Sequence, residues 1–168
     1  TDRSRFMRSE VDKYSWMDIG SSYLPSELTA AFLMAQFEHT KEIVKKRCAI
    51  CSRYDEGFQD LAAKGRVSLP YHSPEAGTNG HLYYILAETK DVRHDLITHL
   101  RSRNIHAVFH YVPLHSSSAG RQYARVATSM DTTDRVSNCL VRLPVYFGME
   151  NDDVDRVIDS VKEYYTHS

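Results

Sequence analysis

The chain has 168 residues, 42% of them hydrophobic, enough for one good core and a short arm. Its 21 Lys and Arg and 22 Asp and Glu are interspersed and leave a formal net charge of −1, so neither nucleic acid nor a membrane surface is an expected partner. Three cysteines, an odd number, fit a reducing cytoplasm better than a disulfide scaffold.

Residues 1–24 carry charge early, then Tyr14, Trp16 and Ile19, then Gly20-Ser21-Ser22, with no sustained period; they read as an arm and a loop. The opening Thr1-Asp2-Arg3-Ser4-Arg5-Phe6 has no initiator methionine and no apolar signal region, so a cut from a longer polypeptide is expected. Pro25-Ser26-Glu27 has the proline, cap and early carboxylate of a helix start. A long helix should follow. Leu28 to Phe37 is apolar nearly all round and is expected to be buried on several sides, though it is far shorter than the roughly 20 residues of a membrane span. Ile43, Ile50, Tyr54 and Leu61 mark a single buried face farther on. His39-Thr40 offers a kink between the halves, and Lys64-Gly65 a glycine stop.

Val67, Leu69 and Pro70 suggest a short strand, and Ser73 to Gly80 a surface loop rich in turn formers. His81 to Ala87 is aromatic and branched on both parities, the pattern of a central strand covered on two faces. Asp91 can cap a helix carrying Leu96, Ile97 and Leu100, with Asn104 at its left-handed end. Ile105 to Val112 resumes strand character. Residues 113–131 read as loop with a short helix over Arg121 to Val126, and Thr133 can cap a helix running through Leu140. Arg142 to Tyr146 is extended, and Pro144 assigns it to a sheet edge. Asn151-Asp152-Asp153 opens the last helix, whose buried face is Val154, Val157, Ile158, Val161 and Tyr165. This order predicts an α/β fold: a small mixed sheet with helices packed on it.

Few motifs carry chemistry. Cys48-Ala49-Ile50-Cys51 is a CxxC, but it lies deep within a predicted helix, where a thiolate gains nothing from the helix N-terminus, so packing is the favoured role. His106, His110 and His115 cluster, the first two sharing a strand face by parity, and a metal site from them is conceivable. A histidine rim that meets an anionic substrate fits better, because neutral imidazole can donate to a phosphate. His94 and His99 read as solvated surface groups. Gly20-Ser21-Ser22-Tyr23 can present amides and hydroxyls to a phosphate at the positive end of the following helix, although a serine there is more often a plain cap. GxGxxG, Walker A, GxSxG and HExxH are all absent from the sequence.

Four ordered blocks resemble the DegT/StrS-type sugar aminotransferases, over essentially the whole chain. They are Trp16 to Leu28 with Ala30-Ala31 and Ala35-Gln36, then Asn79 to Tyr84, then Ala107 to His115, then Arg142 to Val145. The resemblance implies the aspartate-aminotransferase fold (fold type I of pyridoxal-phosphate enzymes), in which a large cofactor domain precedes a smaller C-terminal one. The chain would then be the segment that starts just after the cofactor-binding lysine, with residues 1–24 the arm and loop of the large domain and residues 25–168 the small α/β domain with its connecting helix. The implied activity moves an amino group from glutamate to the C4 keto group of a TDP-4-keto-6-deoxyhexose, in a cytoplasmic homodimer serving surface polysaccharide such as lipopolysaccharide.

The resemblance also implies site residues. Ser21 and Ser22 would meet the cofactor phosphate, Ser22 standing where the family's Gly-Tyr-Asn-Tyr-Arg motif has asparagine and Leu24 where it has arginine. His110, Tyr111 and His115 match the His-Tyr-x-Pro-x-His stretch near the sugar-nucleotide pocket, and His81 and Tyr83 match a second block whose role could equally be packing. None of the seven lysines, Lys13, Lys41, Lys45, Lys46, Lys64, Lys90 and Lys162, falls where a desolvated cofactor lysine is expected. The chain alone is therefore expected to have no catalytic residue, to bind no pyridoxal phosphate and to be inactive. It should also expose Leu28 to Phe37 with Tyr14, Trp16 and Tyr23, surface that the missing domain would cover. Two other classes fit less well: a non-enzymatic nucleotide-sugar-binding module using the histidine and tyrosine rim, and a metal protein built on His106, His110 and His115.

Overall fold

A computed structural model describes residues 7–8, 23–73 and 75–167. The backbone contacts divide the chain into two compact units, residues 1–38 and 39–168.

In the first unit, helix α1 (Glu27–Glu38) starts as the sequence predicts. Ser26 Oγ accepts from the Thr29 amide at 3.2 Å, satisfying one of the donors that a helix start leaves open. The helix buries none of its residues: Leu28 is 85% exposed, Phe32 71% and Met34 65%. Burial on several sides is thus corrected, and the expectation of exposed apolar surface holds for Leu28 to Phe37 and Tyr23. Tyr14 and Trp16 lie outside the described residues.

The second unit begins where the predicted long helix breaks. His39, at φ −102° and ψ 7°, leaves the helical region, and α2 (Thr40–Gly57) follows with no side-chain cap. A second break at Phe58 separates α2 from the short α3 (Gln59–Ala63) and was not anticipated. Gly65 is the stop: at φ 71° it lets its own amide reach the Ala62 carbonyl while Arg66 N bonds Leu61 O. Ile50, Tyr54 and Leu61 are buried on the expected face, and Ile43 is half-buried.

Strands β1 (Val67–Ser68), β2 (Tyr83–Ala87) and β3 (Leu140–Leu143) form a three-stranded sheet in that order. Both junctions are antiparallel, with Val67 opposite Ala87 and Tyr84 opposite Arg142, so the sheet is not the mixed one expected. β2 is central, as predicted. Ile105–Val112 forms no strand, and its share in the sheet is the single bridge between Val108 and Arg142 on the outer side of β3.

Between β2 and β3 lie α4 (Lys90–Ser102), a 3-10 turn (Leu114–Ser116), α5 (Ser118–Tyr123) and α6 (Asp131–Cys139). Thr89 rather than Asp91 caps α4, its hydroxyl accepting from Val92 N at 3.2 Å, which leaves Asp91 in the first turn. Asn104 is left-handed at φ 57°, as expected. α6 starts two residues before Thr133 and has no side-chain cap, while Ser129 Oγ takes the Asp131 amide. α7 (Asn151–His167) ends the unit and buries Val154, Val157, Ile158, Val161 and Tyr165. It packs on α2 and α4, while α4 and α6 lie against the sheet. Tyr54, Phe58, Tyr83, Ile85, Leu96, Leu100 and Val141 fill the core between them. Each such side chain contributes about 1.5–3 kcal/mol of burial free energy.

Candidate substrate pocket

A cavity of about 660 Å³ opens where α2, the segment after β1 and the start of β2 meet. Cys51 lines it from α2, Tyr71, His72 and Ser73 from the segment after β1, and Thr78, Asn79, His81, Tyr83 and Tyr84 from the approach to β2. Its size falls within the range of small-molecule sites.

The loop before β2 is pinned to α2 by backbone packing. Gly80, buried and at φ 59°, lies so close to α2 that an added Cβ would sit 2.8 Å from the Arg47 carbonyl carbon. Beside it, Cys48 Sγ donates to Thr78 O at 3.4 Å.

Asp55 organises the inner wall. Tyr83 Oη donates to Asp55 Oδ1 at 2.8 Å, and His72 Nε2 lies 2.9 Å from Asp55 Oδ2. Tyr83 is only 1% exposed and its ring meets that of Tyr54 at 4.9 Å. Burial, reinforced by the hydrogen bond to the Asp55 carboxylate, pushes the Tyr83 phenol well above its ordinary range, so it stays protonated and donating. Cys51 is held as a neutral thiol because burial raises it to about 11. At the rim, Asn79 Oδ1 accepts from the His81 backbone amide at 3.1 Å and meets His81 Nδ1 at 2.8 Å.

Sequence reasoning placed His81 and Tyr83 here but missed Asp55, His72 and Asn79. Asp55 stands 17 residues from His72 and 28 from Tyr83, and only folding joins them.

The other predicted substrate residues do not line this cavity. Val108, in the segment that leads to them, pairs with the outer side of β3, two strand spacings, about 10 Å, from β2. There His110 meets Tyr111 edge-on at 5.1 Å, Tyr111 is 81% exposed, and His115 Nε2 lies 2.9 Å from Asp134 Oδ1. His106 is exposed. Among the described residues no three His, Cys, Asp or Glu side chains are grouped to hold a metal. His99, expected in solvent, is half-buried instead, with Nε2 3.0 Å from Ser160 O and its ring against Tyr164.

Ser21, Ser22 and Lys13 lie outside the described residues. Of the remaining lysines, Lys41, Lys45, Lys64 and Lys90 are exposed, Lys46 reaches Glu150 at 3.4 Å and Lys162 reaches Asp60 at 3.2 Å. None of these six is buried, as a lysine holding an aldehyde cofactor must be. Among the described residues no helix is long and apolar enough to cross a membrane.

This sheet and its helices are shared with known aminotransferases. DesV from S. venezuelae, solved in complex with a ketimine intermediate, superposes with a TM-score of 0.79 at 28% identity, over 97% of this chain and 43% of that one. TlmJ from Streptoalloteichus hindustanus gives 0.77 at 23% identity, over 91% and 40%. The chain belongs to the DegT/DnrJ/EryC1/StrS aminotransferase family, whose profile matches residues 3–162. Among curated relatives, the dTDP-3-amino-3,4,6-trideoxy-alpha-D-glucose transaminase of Streptomyces venezuelae is 29% identical over 97% of this chain and 42% of its own length. The spore coat polysaccharide biosynthesis protein SpsC of Bacillus subtilis is 27% identical over 82% and 36%. The chain therefore spans less than half the length of these relatives.

Proposed function

We propose that this chain is the C-terminal portion of a pyridoxal-phosphate-dependent sugar-nucleotide aminotransferase, with glutamate as amino donor and a TDP-linked sugar as acceptor. The family match across residues 3–162 carries the reading. Relatives named as transaminases of a dTDP-amino sugar and of UDP-4-amino-4-deoxy-L-arabinose support the nucleotide-sugar class. Within it, the four sequence blocks favour amination at C4 of a TDP-4-keto-6-deoxyhexose, the reaction of dTDP-4-amino-4,6-dideoxygalactose transaminase. Residues 1–24 go with the cofactor domain and residues 25–168 form the small domain.

The cofactor, when bound, supplies the electron sink that lets an amino group change carbon. Its covalent lysine belongs to the rest of the protein, in keeping with the six described lysines being exposed or ion-paired. Ser21 and Ser22 would donate to its phosphate, a hydrogen bond to a charged group being worth about 1.5–3 kcal/mol. His81 and the ring of Tyr83 at the cavity, and His110, Tyr111 and His115 beyond the other edge of the sheet, would meet different parts of the sugar nucleotide, in a dimeric cytoplasmic enzyme.

The decisive assay uses the intact protein with glutamate and a TDP-4-keto-6-deoxyhexose, which should yield the 4-amino sugar. The 168-residue chain alone should neither transaminate nor form a lysine adduct absorbing above the spectrum of free pyridoxal phosphate. Turnover by the chain alone would overthrow the reading, and amination only of a 3-keto substrate would overthrow its regiochemistry.

A further inference from the structure

Cys48 and Cys51 stand one turn apart on α2, both as free thiols. Residues three apart on a helix are surface neighbours, with Cβ atoms about 5–6 Å from each other. Both thiols meet the wall of the cavity: Cys51 lines it directly, and Cys48 Sγ donates at 3.4 Å to the carbonyl oxygen of Thr78, another lining residue. The two also sense each other, since Cys48 is, after burial, the next cause of the raised Cys51 thiol.

A disulfide makes poor use of this spacing. It needs Cβ atoms about 3.5–4.5 Å apart, so closing one would distort the middle of α2. An ion held between two sulfurs by bonds of about 2.3 Å instead sets the sulfurs about 4.6 Å apart, which matches Cβ atoms at the helical separation. Zinc is a poor occupant because its structural sites take four ligands, and among the described residues no three His, Cys, Asp or Glu side chains are grouped to hold a metal. Two thiolates without a third ligand suit a soft cation of low coordination number.

We propose that Cys48 and Cys51 form a two-coordinate site for copper(I) on the α2 wall of the cavity. Binding makes two sulfur–copper bonds and breaks two S–H bonds, so two protons pass to solvent and no electron is transferred. The neutral Cys51 thiol is no bar, because a coordinating thiol is deprotonated by the ion itself. Cys51 is only 6% exposed, and the cavity gives a small ion its path to the sulfur. The site needs neither pyridoxal phosphate nor a sugar nucleotide.

Copper(I), kept reduced by ascorbate under nitrogen, should pass from bicinchoninate to the 168-residue chain at one equivalent. X-ray absorption should show sulfur neighbours and no nitrogen. Cys48→Ala, at a half-buried position, should weaken uptake about a hundredfold or more, because losing a ligand costs more than the 10–100-fold effect of losing an outer-shell partner. Cys51→Ala should do the same, and Cys139→Ala should leave uptake unchanged. Copper should also raise the unfolding midpoint of the wild-type chain and not that of Cys48→Ala. The proposal is overturned if bicinchoninate keeps the copper, if folded Cys48→Ala binds as the wild type does, or if nitrogen ligands appear in the absorption spectrum. None of these readouts requires turnover, so they stand or fall separately from the assay of the intact enzyme.

Discussion

Gly80 and Arg47 touch through their backbones: a side chain at Gly80 would begin 2.8 Å from the Arg47 carbonyl carbon and 2.9 Å from its Cβ. Neither obstacle is a movable side-chain tip, and φ of 59° is itself costly for a residue with a Cβ. Gly80→Ala should therefore destabilise the second unit by about 2–5 kcal/mol, strain and overpacking together. Urea unfolding followed by tryptophan-independent far-UV CD would read this as a lower midpoint at an unchanged m-value. A loss under half a kcal/mol would show that the loop merely rests on α2.

What the sequence disclosed and what it hid have physical reasons visible in single elements. α7 was legible because Val154, Val157, Ile158, Val161 and Tyr165 form one apolar stripe, and burial follows the stripe. Ile105 to Val112 has equally good strand composition yet makes only one bridge. In antiparallel register through Val108 and Arg142, the next hydrogen-bonded partners would be Pro144 on one side and Leu140 on the other. Pro144 has no amide proton, and Leu140 leaves helix α6 directly, so the ladder cannot extend either way. Composition records a residue's preference and not whether a partner strand is available. The pairing of Asp55 with His72 and Tyr83 was hidden for a related reason: a charged residue on a helix and a polar residue in a loop have no local pattern to set them apart.

Arg53 holds Asp155 through two hydrogen bonds of 2.6 Å, joining α2 to α7. That pairing holds the Asp155 carboxyl below its ordinary value, the side-chain hydrogen bond being the leading cause and desolvation opposing it. A folded-state pKa below the unfolded one gives stability that is present above the unfolded value, roughly 3.9, and lost as pH falls through the folded value. Chemical denaturation of wild type and Asp155→Asn should therefore differ by a constant amount from neutrality down to about pH 5 and converge below about pH 4. A difference that persisted unchanged into stronger acid would mean that the carboxylate's charge is not what joins the helices.

Thiol reactivity should separate the three cysteines. Cys51 and Cys139 are 6% and 7% exposed, and burial raises Cys51 to about 11, whereas Cys48 is half-buried. Iodoacetamide at pH 8 should label Cys48 first, and the other two only with denaturant, as resolved by peptide mass spectrometry. Since Cys51 lines the cavity, fast labelling of Cys51 in the native chain would show that the loop from Tyr71 to Asn79 opens widely.

α1 presents Leu28, Phe32, Met34 and Phe37 to solvent, each at least 60% exposed. An apolar surface of this kind drives association. Phe32→Glu with Met34→Glu should lower the sedimentation-average mass of the chain at high concentration and reduce binding of an apolar dye, without altering the unfolding midpoint of the second unit. Unchanged association in the double variant would place the sticky surface elsewhere.

Tyr83 tests whether the pocket wall is built for contact or for support. Its hydroxyl satisfies Asp55 Oδ1 and its ring packs on Tyr54, so within the chain its work is to hold β2 against α2. Tyr83→Phe keeps the ring and removes one hydrogen bond to a carboxylate whose side chain is 24% exposed, enough for water to restore part of the loss. A cost of about 1–2 kcal/mol is expected. In the intact enzyme the same change should leave KM for the sugar nucleotide nearly unchanged, because the hydroxyl proton already points at Asp55. A KM increase of tenfold or more, about 1.4 kcal/mol of lost binding, without loss of stability would assign Tyr83 to the substrate instead.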